Sequence, residues 1–322
     1  MKKILSKLTV FILLATLMVS LAACGTTKVT SNEKSSAGKR VVKIGYLPIT
    51  HAVPLFIEDQ ASFNNMKLEL IKFGSWPELM DALNTGRIDG ASVLVTLAMK
   101  AKEQGIDIKA VALGHRDGNV LITANDINKV EELKGKSFAI PHKFSTHNIL
   151  LYQMLKQAGL QYSDVKAVEM PPAEMPAALS EGRIAGYVVA EPFGAIAVSM
   201  KKGKVLYQSE EIWQDSVDCA LVLRNDFIKN EPKAAQEFVN QYVKAGEIAE
   251  KKDEQTKAAS AKYMKVDDKV LDLSFQWIKY DNLRLNEESY EILMKNLQEM
   301  NLSENPPAYQ DFVDNSLIDK AK

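Results

Sequence analysis

The sequence has little cysteine or histidine and no strong net charge of either sign. Its two cysteines, Cys24 and Cys219, lie far apart, and neither belongs to a Cys-x-x-Cys pair. With 40 basic and 41 acidic side chains, the formal net charge is −1 over 322 residues. This balance gives no sign of the basic surface that nucleic-acid-binding proteins carry. We therefore expect no nucleic-acid partner.

Motifs of the common enzyme classes are also missing. The chain has no phosphate loop, no G-x-S-x-G and no H-E-x-x-H. Cys219 begins an apolar run, which is typical of a cysteine in the core. The histidines have no partner four residues away on a predicted helix and no acidic loop beside them. The sequence therefore predicts no enzyme, no cofactor and no metal site, with a metal-binding transport lipoprotein kept as an alternative. The four histidines are His51, His115, His142 and His147.

The N-terminus has the pattern of an export signal. Three lysines within residues 2–7 precede an apolar run over residues 8–23, which at 16 residues is shorter than the roughly 20 of a spanning helix. The run ends in Leu-Ala-Ala-Cys, which resembles a bacterial lipobox. The resemblance implies a signal peptide over 1–23, acylation of Cys24 (palmitate among the chains) and anchoring at the extracytoplasmic face of the cell membrane. The polar composition of residues 24–40 predicts a flexible tether. Cys219 is then left without a disulfide partner.

A thirteen-residue pattern occurs twice. ELMDALNTGRIDG at 78–90 and EMPAALSEGRIAG at 174–186 agree at seven positions. Each copy predicts a helix that ends at a glycine, Gly86 or Gly182, and is followed by a buried strand. Upstream of each copy, a strand ended by proline precedes a Thr-His pair and another helix. We interpret the repeat as two α/β lobes of one design, because such alternation indicates parallel sheets with crossover helices.

The lobes would face each other across a cleft. In open α/β sheets, ligands bind beyond the carboxyl ends of the strands. A strand at 219–227 would return the chain to the first lobe, and the helical C-terminal region would pack there. The predicted division is 1–23 signal peptide, 24–40 tether, 41–122 with 217–322 lobe 1, and 123–216 lobe 2.

Several stretches resemble one known family. KIGYLPITHAVPLFI (43–57), MPPAEMPAALSEGRI (170–184) and AEPF (190–193) are similar to the solute-binding lipoproteins of ABC importers for nitrate, sulfonates, taurine, bicarbonate and thiamine-related pyrimidines. The resemblance implies a two-lobe periplasmic-binding fold of type II, capture of a small polar solute by lobe closure, and delivery to a permease with its ATPase subunits. It also implies a monomer that is not an enzyme. The thiamine-pyrimidine-synthase-like enzyme of related fold is an alternative, but its cysteine-rich motif is missing. The solute stays open.

The candidate ligand-binding residues follow predicted strands or begin helices. Free backbone N–H groups at helix starts favour anions, and hydroxyl or imidazole groups there add directed donors. Two of the residues have structural alternatives: Ser145 as a helix cap, and Glu191 as a partner of the hinge backbone. The predicted set is Thr50, His51, Trp76, Thr96, His115, Ser145, Thr146, His147 and Glu191.

Overall fold

The computed structural model describes residues 38–321. The predicted signal peptide, Cys24 and most of the tether lie outside the described residues. The strands are β1 (Arg40–Tyr46), β2 (Met66–Lys72), β3 (Gly90–Leu94), β4 (Ile108–Leu113), β5 (Arg116–Asp117), β6 (Asn119–Thr123), β7 (Ser137–Ile140), β8 (Lys166–Glu169), β9 (Gly186–Ala190), β10 (Lys204–Gln208), β11 (Cys219–Arg224) and β12 (Ile278–Lys279).

Helices connect the strands and form the C-terminal region. They are α1 (Val53–Glu58), α2 (Trp76–Asn84), α3 (Val95–Glu103), α4 (Thr146–Gln157), α5 (Met175–Ser180), α6 (Phe193–Ser199), α7 (Ser209–Ile212), α8 (Asn225–Asn230), α9 (Pro232–Glu250), α10 (Glu254–Met264), α11 (Asp268–Ser274), α12 (Glu287–Glu299) and α13 (Tyr309–Phe312). No helix among the described residues is long and apolar enough to cross a bilayer.

The two large sheets have the same plan. The first has the order β2-β1-β3-β11-β4 and the second, read in the matching direction, β8-β7-β9-β6-β10. In each sheet the first three strands are parallel and the fourth is antiparallel to its neighbours. The fourth strand is in both cases the one that has just crossed from the other lobe. The predicted two-lobe α/β fold is confirmed.

The repeated sequence forms equivalent structure in both lobes. Helices α2 and α5 each have a proline in the first turn, where its missing N–H costs nothing. Gly86 and Gly182 follow these helices with φ of 74° and 71°, the left-handed conformation that glycine adopts without strain. The strands after them, β3 and β9, are buried at every position. The repeat therefore builds the centre of each sheet.

The first crossing between lobes lies earlier than the sequence analysis predicts. The sequence predicts residues 119–122 in lobe 1, but they belong to β6, which pairs with β9 and β10 of the second sheet. The crossing is instead the segment 114–118, whose β5 pairs with β12. The continuous apolar run of β6, buried at every position, fits either sheet, so the sequence pattern alone does not locate the crossing. β11 begins at Cys219 in the first sheet.

The C-terminal helices cover the first lobe and reach the second. Helices α9 and α10 pack against α1, as predicted. Helix α12 also contacts α4 of the second lobe, where Gln153 Nε2 donates to Asn296 Oδ1 at 3.1 Å. Between the lobes, the Thr50 N–H donates to the Glu191 carbonyl at 2.8 Å. The two lobes are therefore in contact across the cleft.

Candidate functional site

Strand ends of the first sheet bring three polar side chains together. His51 lies in the short 3-10 turn after β1, and His115 follows β4. Asp218 directly precedes β11, which runs antiparallel, so its start lies at the same edge as the ends of β1 and β4. The Asp218 carbonyl also accepts the Val95 N–H at 2.7 Å, which fixes it against the start of α3.

The second lobe adds one histidine to this group. His147 is the second residue of α4, the helix that follows β7. The cleft cluster, as we name it, consists of His51, His115, His147 and Asp218, and each of the four residues is 0% exposed.

The cleft cluster is compact. The His51 and His115 rings are stacked with centroids 3.5 Å apart, and the His51 and His147 centroids are 6.3 Å apart. His51 Nδ1 lies 3.1 Å from Asp218 Oδ2, and His147 Nδ1 lies 3.7 Å from Asp218 Oδ1. Gly114 makes the stacking possible, since a Cβ there would lie 2.7 Å from the His51 carbonyl oxygen.

Most polar atoms of the cleft cluster have no hydrogen bond to other described residues. This holds for both ring nitrogens of His51 and His147 and both carboxylate oxygens of Asp218, whose nearest polar contact is the 3.1 Å approach of His51 Nδ1 to Asp218 Oδ2 within the cluster. Buried polar groups are nearly always paired, and a buried group without a partner costs about 1–3 kcal/mol. Six such atoms at one place indicate a site built for a ligand.

His115 is the exception, because both of its nitrogens have partners. Nδ1 contacts the Asp117 carbonyl at 2.8 Å, and Nε2 accepts the Cys219 N–H at 3.3 Å. A carbonyl on one ring nitrogen leaves the lone pair on the other, the arrangement that orients metal-binding histidines. The lone pair of His115 Nε2 points at the Cys219 N–H, and a metal ion bound to His115 would replace this contact.

Burial shifts the pKa values of two imidazoles in the cleft cluster and works against neighbouring groups at the acid. Burial lowers the pKa of His147 to about 4 and, with the neighbouring His51, lowers the pKa of His115 well below its usual value. Burial opposes ionisation of Asp218, but the nearby His147 and His51 outweigh it, so that the pKa of this carboxyl is lowered. Neutral imidazole and ionised carboxylate are the forms that bind metal ions.

Two predicted site residues serve as helix caps. Ser145 Oγ accepts the Asn148 N–H at 3.1 Å and donates to the His142 carbonyl at 2.6 Å. Glu191 Oε2 accepts the Ala195 N–H at 2.7 Å at the start of α6. Burial raises the pKa of Glu191 to about 7 despite this bond. Thr50 donates its hydroxyl to the Glu191 carbonyl at 3.2 Å and so joins the lobes.

The other predicted residues are buried and still unpaired. Trp76 Nε1, Thr96 Oγ1 and Thr146 Oγ1 have no hydrogen-bond partner among residues 38–321. All three lie at the first or second position of a helix that follows a strand. The predicted strand-end placement therefore holds in the structure, and the binding role of these residues stays a prediction.

The expectation that the histidines do not come together is wrong for three of the four. Their spacing in sequence carries no signal, because each belongs to a different element and only the tertiary fold joins them. His142 stays apart, with Nε2 3.7 Å from Glu169.

Sequence analysis missed Asp218, Cys219 and Asn119. Each stands at the start of an antiparallel strand or directly before one. The candidate residues were expected at the carboxyl ends of parallel strands, whereas an antiparallel strand presents its amino end at that edge. Asn119 is 0% exposed, and both of its side-chain polar atoms lack partners in the described part of the chain.

Comparison with known proteins gives relatives among transport components. The chain is 27% identical over 264 residues to the nitrate/nitrite binding protein of Nostoc sp., covering 70% of this chain and 58% of that protein. It is 30% identical over 178 residues to the taurine-binding periplasmic protein of Escherichia coli, covering 54% and 55%. The chain thus spans little more than half the length of these relatives.

Solved structures give longer matches. The ligand-binding component of an ABC-type import system from Staphylococcus aureus, with zinc bound, has a TM-score of 0.85 and 42% identity over 88% of this chain and 99% of that one. The periplasmic nitrate-binding protein of Synechocystis has a TM-score of 0.77 at 19% identity over 87% of each chain, which establishes the fold alone. The NMT1-like family matches residues 35–264, and the chain therefore belongs to the NMT1-like family.

Proposed function

We propose that the chain is the solute-binding component of an ABC importer and that its solute is a divalent transition-metal ion such as Zn²⁺. The importer role rests on the family and on the two-lobe fold. The metal rests on the cleft cluster, whose three imidazoles and one carboxylate are buried and mostly unpaired. This observation carries the proposal, because imidazole and carboxylate are the ligands that zinc takes in proteins.

Charge favours a cation over the anions that several relatives are named for. Asp218 is a buried acidic side chain in the cleft cluster, and a carboxylate there attracts a cation and repels an anion. Among the described residues, Arg116 is the buried basic side chain, but its guanidinium donates to the carbonyls of Asn282 and Arg284 behind the hinge. A nitrate, bicarbonate or sulfonate ion would therefore meet a carboxylate without a compensating cation.

The distribution of the ligands between lobes gives a mechanism of capture. His51, His115 and Asp218 are attached to strands of the first sheet, and His147 comes from the second lobe. A metal ion held by all four would join the lobes, so it binds the closed form more tightly than the open form. Such a difference in affinity is what drives closure.

The Staphylococcus aureus structure supports this solute, since it has zinc bound and 42% of the aligned residues are identical. The anchoring part of the proposal is that Cys24 carries the lipid and holds the protein at the outer face of the cell membrane. The closed protein would then act as a monomer and deliver its solute to the permease and the associated ATPase subunits.

A thermal-shift screen of the chelator-treated protein tests the solute. The panel contains Zn²⁺, nitrate, bicarbonate, taurine, an alkanesulfonate and a formylaminopyrimidine. A ligand at 100 times its dissociation constant stabilises the protein by about 2.7 kcal/mol. We expect Zn²⁺ to raise the melting temperature at micromolar concentration and the anions to leave it unchanged. A shift with an anion or the pyrimidine and none with Zn²⁺ would reject the metal.

A further inference from the structure

A buried thiol lies beside the cleft cluster. Ligand atoms of His51, His115, Asp218 and Cys219 all lie within 4.8 Å of one another, and the four residues are buried. Cys219 is the free cysteine of the described residues. His147 stands farther out, with its ring centroid 6.3 Å from that of His51. The tightest group of potential ligands thus comes from one lobe and contains sulfur.

We propose that the Cys219 thiolate is a metal ligand and completes a four-ligand set that belongs to the first lobe alone. The set captures the ion while the lobes are open, and His147 joins it on closure. The inference rests on the proposed function and refines it, because it assigns the site a preference for metals that accept sulfur.

Backbone contacts hold the thiol in place. Cys219 is the first residue of β11, where it is paired with Leu94 of β3. Its N–H reaches His115 Nε2 at 3.3 Å, and its carbonyl accepts the Gly114 N–H at 2.8 Å. The Gly114 contact joins the start of β11, next to Asp218, to the loop that carries His115, so these three ligands stay near one another when the lobes separate. Metal binding at His115 Nε2 would replace the Cys219 N–H.

Two independent observations distinguish this thiol from an ordinary core cysteine. Both ring nitrogens of His51 and both oxygens of Asp218 lack hydrogen bonds to the described residues, so polar atoms beside the sulfur await a partner. The carboxylate beside the thiol also provides the negative charge that attracts a cation. On metal binding the thiol releases its proton to solvent, as coordinating cysteines do.

The presence of sulfur has a consequence for selectivity. Thiolate ligands select Zn²⁺, Cu⁺ and similar soft ions, whereas Mg²⁺, Ca²⁺ and Mn²⁺ prefer oxygen ligands. Three imidazoles and a carboxylate alone would discriminate less against Mn²⁺. Cys219 is therefore the specificity-determining residue of the site.

Cobalt provides a direct spectroscopic test, because Co²⁺ bound to thiolate shows a sulfur-to-metal charge-transfer band in the near ultraviolet. Its visible ligand-field bands report four-coordination separately. The full-length protein, stripped of metal, is titrated with Co²⁺ as wild type, His147→Ala, Cys219→Ser and Cys219→Ala. We expect the charge-transfer band in wild type and in His147→Ala, which retains the first-lobe set, and its loss in both Cys219 variants while the visible bands persist.

The outcomes separate the two proposals. Visible cobalt bands without the charge-transfer band in wild type and His147→Ala would overturn the role of Cys219 and leave the metal site intact. Failure of the wild-type protein to bind Co²⁺ or Zn²⁺ at all would overturn the proposed function itself. If a Cys219 variant does not fold, the spectrum of Cys24→Ser decides, because Cys219 is then the single thiol: the charge-transfer band supports its role and loss of the band overturns it.

Discussion

Single residues in the cleft carry the chemistry of this protein, and Asp218 matters most among them. It is the acid of the cleft cluster, and it lies 3.1 Å from His51 and 3.7 Å from His147. Without a cation it is a buried carboxylate with unpaired oxygens, an arrangement that is costly unless compensated. A divalent ion supplies that compensation.

Asp218→Asn should nearly abolish zinc binding, because the amide keeps the shape but removes the charge. We expect the affinity to fall by more than the roughly 10–100-fold that loss of an outer contact causes. Competition with a chromogenic chelator measures it. The matched control is His142→Ala, since His142 lies outside the cleft cluster and should leave the affinity unchanged. Wild-type affinity in Asp218→Asn would remove the carboxylate from the site.

The raised pKa of Glu191 leads us to expect that the stability of the fold depends on pH. Burial raises its pKa from 4.5 to about 7, so between these values the folded protein holds a proton that the unfolded chain has released. Stability is therefore lost as pH rises through this window, and the loss is complete above it. Glu191→Gln should remove a component on the order of 3 kcal/mol from the pH profile. Urea unfolding at several pH values measures it, and parallel profiles for variant and wild type would contradict the assignment.

At the level of elements, the site depends on strand ends and on the glycines that end helices. Gly182 ends α5 with φ of 71°, and a Cβ there would meet no atom within 4 Å. Any cost of substitution is therefore conformational. The helix it ends leads directly into β9, the central strand of the second sheet.

Gly182→Ala should destabilise the protein by about 1–2 kcal/mol, because a side chain disfavours the left-handed conformation. Gly74→Ala is the matched control, since Gly74 has no positive φ and its Cβ would make an ordinary contact of 3.7 Å with Glu78. Thermal unfolding in the absence of metal measures both variants. Equal melting temperatures would show that the helix end carries no strain.

Much of the arrangement of helices and strands could be predicted from the sequence. The duplicated helix-glycine-strand pattern depends on local physics, and so both sheets, both glycines and the strand-end location of Thr50, His51 and His147 follow from it. The close approach of the three histidines and Asp218 could not be predicted, because it depends on which strands become neighbours in the sheets. The antiparallel entry of β6 and β11 also has no local signature, which explains both the misplaced first crossing and the overlooked Asp218.

At the level of the whole molecule, two lobes enclose the cleft cluster between them. Outside the cleft cluster, the hydrogen bonds between the lobes include Thr50 N–H to the Glu191 carbonyl and Gln153 Nε2 to Asn296 Oδ1. A domain interface of this kind permits opening. The bound ligand then determines whether the open or the closed form predominates.

Zinc should compact the wild-type protein but not His147→Ala. Small-angle X-ray scattering with and without Zn²⁺ measures the radius of gyration of each. We expect the variant to bind zinc more weakly through the first-lobe ligands and to stay open, because its second lobe no longer reaches the ion. Equal compaction of both proteins would mean that other contacts close the cleft.

X-ray absorption at the zinc edge of the zinc-loaded protein tests the central claim most directly. The account predicts one tightly held zinc per chain, with imidazole scattering, a nitrogen and oxygen shell at roughly 2.0–2.1 Å and at most one sulfur. A protein that retains no zinc after gel filtration, or a shell of oxygen alone, would contradict a metal site in the cleft.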